Sequence, residues 1–258
     1  MNWDAIVEKV TPVVVKIETP SGHGTGFLCL YNEPRTFCGI ATAYHVVKHA
    51  EQWQEPIRIL HYPSKRTAFL READRVIFTD PEKDSAVVLI TTGQLQFPEE
   101  PIGLIPTDSR LPIGMEVGWL GYPGIASATL CFFAGNISAW QDFRSAYLID
   151  GVAINGVSGG PVIYCTAPGN AEGSQIVGAI TAYHVNRATG EALPGLSIAQ
   201  DVSHFHDIIR QMKSWDEAAK QKDALAKQKA TEPTAPPTVE VKPVDPPTDA
   251  PISQPPAT

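Results

Sequence analysis

Residues 155–165 read Asn155-Gly156-Val157-Ser158-Gly159-Gly160-Pro161-Val162-Ile163-Tyr164-Cys165. Three glycines around one serine make a turn that exposes a hydroxyl, and the element that this turn leads into decides the fold. Gly156-Val157-Ser158-Gly159-Gly160 satisfies the G-x-S-x-G pattern of a nucleophile elbow. An elbow needs a strand, a sharp turn and then a helix, with the acid and the histidine after the serine. Here Pro161 comes three residues after Ser158 and an apolar, β-prone run continues from it, so the turn leads into a strand. The elbow fails on context, and no α/β alternation exists elsewhere in the body of the chain.

On both sides of the turn, short β-branched and aromatic runs alternate with Gly, Pro, Asn and Asp clusters. The first series is Val13–Ile17, Gly26–Leu30, Phe37–Ala41, Ile57–His61, Arg75–Phe78 and Ala86–Thr91. The second is Glu116–Gly121, Ala128–Phe133, Ala146–Ile149, Gly160–Cys165, Ile176–Ala182 and Leu196–Ala199. Many short strands with no long helical period between them predict an all-β sandwich or barrel. The polar stretch Phe97–Ile113 separates the two series, each long enough for one small barrel. Trp3, Ile6, Val7 and Val10 predict a short N-terminal helix capped by Asn2. Phe205, Ile208, Ile209 and Met212 predict a C-terminal helix that packs back on the second barrel. Ser214 with Glu217 reads as a capping box that opens a further charged helix. The expected organisation is therefore 1–100 (helix and first barrel), 101–213 (second barrel and C-terminal helix), 214–230 (charged helical extension) and 231–258 (tail).

Of 23 prolines, nine lie between Thr231 and Thr258, a segment without an aromatic residue. It cannot bury enough surface to offset its chain entropy and is expected to be disordered with polyproline II character. Its Pro-x-x-Pro spacing would suit an SH3-like partner, although a proline-rich tract produces such spacing by chance.

The 258 residues carry 20 basic and 28 acidic side chains, a net charge of −8, which argues against nucleic acid or an anionic membrane surface as partner. No apolar run is long enough for a membrane span, and Met1-Asn2-Trp3-Asp4 does not open a secretory leader. A cytoplasmic location is expected if Met1 is the true start, and a periplasmic or secreted one if a leader has been removed. Cys29, Cys38, Cys131 and Cys165 lack zinc-ligand spacing and read as buried thiols. Cys29 and Cys38 could face each other across a hairpin, which leaves one disulfide open.

The alternative to the elbow is a glycine-rich loop whose own N–H groups, those of Gly156 and Ser158, point at the carbonyl oxygen of a bound substrate. That reading requires a histidine and then an acid upstream of the serine. His45 lies in Ala41-Thr42-Ala43-Tyr44-His45-Val46-Val47, at the end of an apolar strand. Asp84 lies 39 residues on, where Ser85-Ala86-Val87-Val88-Leu89-Ile90 begins, and Ser158 comes 74 residues later. Asp80 and Asp74 compete for the role of acid.

At these residues the chain resembles the trypsin-like peptidase superfamily, and within it the protease domain of the HtrA/Deg family, over roughly 5–212. Gly24-Thr25-Gly26-Phe27 is similar to that family's G-S-G-F, Thr42-Ala43-Tyr44-His45-Val46-Val47 to its T-x-x-H-V-V, and Asp84-Ser85-Ala86-Val87-Val88 to D-L-A-L-L. Gly121-Tyr122-Pro123-Gly124 resembles G-x-P-x, and Asp150 precedes Ser158 by eight residues as in D-A-A-I-N-P-G-N-S. The resemblance implies a double six-stranded β-barrel and a serine endopeptidase with His45, Asp84 and Ser158 as triad and Gly156 and Ser158 as oxyanion hole. It implies no metal or cofactor, and peptide or protein substrates. Val152 would lie at the base of the primary specificity pocket, with Thr181, Ala182, Tyr183 and Gly195 in its wall, which favours a small or medium aliphatic residue before the cut. Val157 stands where trypsin-type zymogens carry an aspartate, so activation by a new N-terminus is not expected. The chain past Met212 is too short and polar for a PDZ domain. A catalytically inactive scaffold that binds peptides through the same cleft is the competing class. His23, His49, His61, His184, His204 and His206 read as structural or surface residues.

Overall fold

The computed structural model describes residues 3–166, 171–185 and 192–231, side chains excepted at 182–185, 192–194 and 229–231. The chain divides into two units, Met1–Ala218 and Ala219–Thr258. Helix α1 (Asp4–Val10) buries Ile6 and Val10 and has Trp3 as its N-cap, without a side-chain cap. Asn2, the expected cap, lies outside the described residues. A 3-10 turn at Thr11–Val13 leads into β1 (Val14–Thr19), succeeded by β2 (Gly22–Tyr31), β3 (Phe37–Ala43) and helix α2 (Tyr44–Gln52). Strands β4 (Ile57–His61), β5 (Arg66–Leu70), β6 (Arg75–Asp80) and β7 (Ser85–Thr91) complete the first half.

These strands form a seven-stranded antiparallel sheet in the order β5-β4-β1-β2-β3-β7-β6, in place of the expected six-stranded barrel. The additional strand, β5, buries only Ala68 and Leu70 and leaves the aromatic Phe69 exposed between them, too short an alternation to stand out in sequence. Among the described residues no β-ladder joins β5 to β6. Arg75, the first residue of β6, spans that opening instead. Its guanidinium donates to the carbonyls of Leu70 (2.8 Å), Ala50 (3.0 Å) and Glu55. One charged group thus ties the end of β5, helix α2 and the approach to β4 together.

The second half comprises β8 (Glu116–Gly121), β9 (Cys131–Gln141), β10 (Ala146–Asp150), β11 (Pro161–Cys165), β12 (Ser174–Val185) and β13 (Ala192–Asp201). They close into a barrel in the order β10-β13-β12-β11-β8-β9. Trp119, Val162, Ile180 and Ala199 are among its buried residues. The strand after the Ser158 turn is present as β11, so the fold is mostly β, as the turn's context predicts.

Helix α3 runs unbroken from Ser203 to Thr231, which corrects two expectations. Ser214 does not start a new helix, because its hydroxyl donates back to the Arg210 carbonyl at 3.1 Å, a bond made inside a helix. The apolar stripe also meets the first sheet: Phe205 stacks edge-on against Phe27 of β2 at 5.7 Å, and His204 bonds Ser85 of β7. A closed barrel fills its interior with its own side chains, whereas an open sheet has a face to cover. The docking continues past Met212. Trp215 packs at a tilt against Phe78, ring centroids 5.8 Å apart, and Asp216 accepts hydrogen bonds from the Glu33 N–H (2.7 Å) and Asn32 Nδ2 (3.4 Å). A chain ending at Met212 should therefore be less stable than one ending at Ala218, by roughly 1–3 kcal/mol for an aromatic pair and two charge-assisted bonds, and should melt lower. Equal melting temperatures for the two truncations would show that Trp215 and Asp216 contribute nothing.

None of the four cysteines is paired in a disulfide. Cys29 donates to the Gly39 carbonyl at 3.3 Å. Burial pushes the Cys38 thiol up to about 12 and raises Cys29 as well, so neither is a thiolate nucleophile near neutral pH.

Candidate active site

His45 is in the first turn of α2, directly after β3, rather than at the end of the strand. The N-cap position of that helix is Ala43, which has no side chain able to cap. Asp84 supplies the missing acceptors. Its carbonyl accepts the Tyr44 N–H (3.0 Å) and its Oδ1 accepts the His45 N–H (2.9 Å). Its Oδ2 lies 2.7 Å from His45 Nδ1. One carboxylate thus fixes both the start of the helix and the orientation of the imidazole, leaving Nε2 as the ring nitrogen for other work.

Asp84 is presented by a tight turn between β6 and β7, at φ +47°. The left-handed region is sparsely populated by non-glycine residues and costs about 1 kcal/mol or more, with aspartate among the residues that tolerate it best. The competing acids are occupied elsewhere. Asp80 accepts the Lys83 N–H at 3.1 Å within the same turn, and Asp74 accepts the Arg71 N–H at 3.0 Å. Of the three, Asp84 is the one brought to His45.

The Ser158 turn is held against β2 and β3 through Thr25, a fully buried residue that uses every polar group it has. Its N–H donates to the Ser158 carbonyl (2.8 Å) and its hydroxyl donates to the Gly156 carbonyl (2.8 Å). The same hydroxyl accepts the Tyr122 N–H (2.9 Å), and the Thr25 carbonyl accepts from Thr42 Oγ1 (2.7 Å). Gly159 lies so close that a Cβ there would be 2.1 Å from the Thr25 carbonyl oxygen and 2.9 Å from the Ala43 nitrogen. Backbone packing therefore sets the serine turn beside the residues that precede His45. Ser158 Oγ makes no hydrogen bond to His45 among the described residues.

Two peptide planes in the turn are fixed by their carbonyls. The Asn155 oxygen accepts the Gly124 N–H at 2.6 Å, and the Val157 oxygen accepts the Gly160 N–H at 2.9 Å. In a trans peptide the next N–H points the opposite way, so the N–H groups of Gly156 and Ser158 are aimed by these bonds. Neither has a protein acceptor among the described residues. Gly156 adopts φ +94°, and its missing side chain matters: a Cβ would lie 2.4 Å from the Tyr122 oxygen and 2.5 Å from His23 Nε2.

Among the residues expected to line a specificity pocket, Val152 is half exposed after β10. Thr181 is buried at a bulge in β12, where its hydroxyl reaches the Ile198 carbonyl at 3.5 Å. Ala182 and Tyr183 pair with Ile198 and Ser197 of β13, and their side chains lie outside the described residues. Gly195, at φ +84°, accepts the Gly151 N–H at 2.8 Å, and Ser197 Oγ donates to the Gly151 carbonyl at 2.6 Å. Gly151, Gly195 and Ser197 thus tie the segment after β10 to β13. A Cβ at Gly195 would be 3.9 Å from Asp150 Oδ1.

His49, His61 and His206 are bonded elsewhere in the fold. His61 is buried between the Pro12 carbonyl (2.8 Å) and Ser64 (2.7 Å), and burial lowers its pKa. His49 meets Glu55 at 2.8 Å, and His206 meets the Ile105 carbonyl at 2.8 Å. The His184 side chain is outside the described residues. Sequence reasoning missed the structural weight of Thr25, Thr42 and Gly124. The Gly24-Thr25-Gly26, Thr42-Ala43-Tyr44-His45 and Gly121-Tyr122-Pro123-Gly124 motifs marked all three without showing what they hold.

A family model described as a trypsin-like peptidase domain matches residues 24–170, more than half of the chain. The fold is similar to the inactive form of the Rv3671c protease, at 20% identity over 80% of this chain and 92% of that one, with a TM-score of 0.55. An inactive serine-to-alanine mutant of Rv3671c from M. tuberculosis H37Rv matches at 20% identity over 89% and 93%, with a TM-score of 0.52. The serine endoprotease from Yersinia pestis matches at 19% identity over 83% and 67%, with a TM-score of 0.57. No curated protein matches the chain in sequence.

Proposed function

Because the chain belongs to the trypsin-like peptidase domain family, we propose that it is a serine endopeptidase in which Ser158 is the nucleophile, His45 the general base and Asp84 the orienting acid. The observation that carries this reading is the two-point hold of Asp84 on His45, 2.9 Å to the backbone and 2.7 Å to Nδ1. With Nδ1 engaged by a carboxylate, Nε2 takes the Ser158 proton as Oγ attacks the scissile carbonyl, and later gives it to the leaving amine. Asp84 stabilises the imidazolium formed in between. The aimed N–H groups of Gly156 and Ser158 receive the developing oxyanion, where fixed donors act without reorganisation. Water then attacks in its turn to release the acyl half of the peptide. The substrates are peptides or proteins, and the catalytic steps need only these side chains and backbone groups.

An active-site-directed fluorophosphonate tests the assignment. It should label the wild-type protein at Ser158 and leave Ser158→Ala unlabelled. Silence in both, with intact fold, would favour a peptide-binding scaffold. The pocket reading makes a separate prediction: a peptide library should show Val, Ala, Ile or Leu before the cleaved bond, because Val152 offers no charge to pair a basic side chain. A profile dominated by Arg and Lys would overturn it and point to Asp150, whose carboxylate faces the Gly195 side of the wall.

A further inference from the structure

We propose that the first turn of helix α3 is a clamp that positions the acid, gripping the residues on both sides of Asp84 through Ser203 and His204. The proposal rests on Asp84 being the orienting acid. Lys83 Nζ donates to Ser203 Oγ at 2.8 Å, and Ser85 Oγ meets His204 Nδ1 at 2.9 Å. Ser203 is itself anchored, its hydroxyl donating to Asp201 Oδ1 at 2.7 Å. Ser85 and His204 are buried, so their bond is shielded from water.

The need for such a clamp lies in the geometry of the acid. Asp84 closes a tight turn in the left-handed region, and the bond that closes it, from the Asp84 N–H to the Pro81 carbonyl, is long at 3.3 Å, with only the Lys83 N–H to Asp80 bond of ordinary length (3.1 Å) beside it. A strained turn relaxes unless its surroundings over-determine it. Ser203 and His204 come from the helix after the last strand of the serine-side barrel, so they tie the acid's turn to the half of the fold that carries Ser158. Among the described residues they make no hydrogen bond to His45 or Ser158, and they are positioning residues, acting through Lys83 and Ser85.

Steady-state kinetics on a fluorogenic peptide, with melting temperatures measured in parallel, separate positioning from mere stability. Ser203→Ala removes a half-buried hydroxyl, and Ser85→Ala removes the partner of His204. Each should lower kcat by about 10-fold or more at unchanged KM, since small displacements of a catalytic group cost up to about 100-fold. Ser203→Thr, which keeps the hydroxyl, should restore kcat. Ser203→Ala should cost nothing further in a Lys83→Met background, because the two residues share one bond. Wild-type kcat in Ser203→Ala and Ser85→Ala, beside an inactive Ser158→Ala, would overturn the clamp alone. So would kcat losses that vanish well below the melting temperature, or that Ser203→Thr does not rescue. Activity retained by Ser158→Ala would overturn the triad and the clamp with it.

Discussion

Ser158→Ala and His45→Ala should each remove nearly all peptidase activity, on the order of 10⁶ in kcat, and the double variant should be little worse than either, because triad members act as a unit. Asp84→Asn should cost about 10⁴. The asparagine still offers an Oδ1 to the His45 N–H, but it sets an amide nitrogen toward Nδ1 if that cap is kept. The ring is then driven to the wrong tautomer, with the proton on Nε2 where the base is needed. Asp84→Ala should do more, because it also removes the carboxylate that accepts the first-turn N–H of α2. Loss of a cap costs about 1 kcal/mol, so Asp84→Ala should melt measurably lower than Asp84→Asn. Turnover on a fluorogenic peptide and thermal melts of the four single variants check both halves. If Asp84→Asn were nearly silent while Asp80→Asn was inactive, the acid would be misassigned.

Gly156→Ala should be among the most damaging additions of a single methyl group. The added Cβ would sit 2.4 Å from the Tyr122 oxygen, 2.5 Å from His23 Nε2 and 3.0 Å from the Gly124 nitrogen, at a φ of +94°. Two of those three neighbours are backbone, and one of them is the nitrogen that holds the Asn155 carbonyl. The turn must move, and the Gly156 N–H loses its aim. Removal of one oxyanion donor costs about 10²–10³ in kcat, and the clash should lower the melting temperature as well. Gly195→Ala is the control. Its φ of +84° is as unfavourable, but the nearest atom to the added Cβ is 3.9 Å away, so strain acts without a clash and the expected cost is about 1 kcal/mol. The rate of fluorophosphonate labelling, which reports the serine and its oxyanion donors directly, should fall steeply for Gly156→Ala. An unchanged labelling rate in that variant would remove Gly156 from the proposed machinery.

The features legible in the chain are those that a few consecutive residues can encode. The β-prone runs Ile57–His61 and Glu116–Gly121 match β4 and β8 residue for residue, and Pro161 with its β-prone run separates a strand from an elbow helix. The order of histidine, acid and serine is likewise a property of the chain. Which acid meets His45 was settled by folding alone, because Asp84, Asp80 and Asp74 are chemically alike and differ in where their turns point them. Folding also made Tyr44–Gln52 a helix. Val46 and Val47 continue an apolar strand in sequence, and Ala43 offers no cap, so the local signal favours a strand. The donors of that first turn are satisfied by Asp84, 39 residues beyond His45. The same holds for Thr25, whose hydroxyl serves a carbonyl 131 residues away, and for α3, whose apolar stripe was plain in sequence while the sheet it covers was not. Periodicity and turn chemistry are local, and a chain shows them directly. A partner for a buried donor, or a face for an apolar stripe, exists only once distant strands have closed around it.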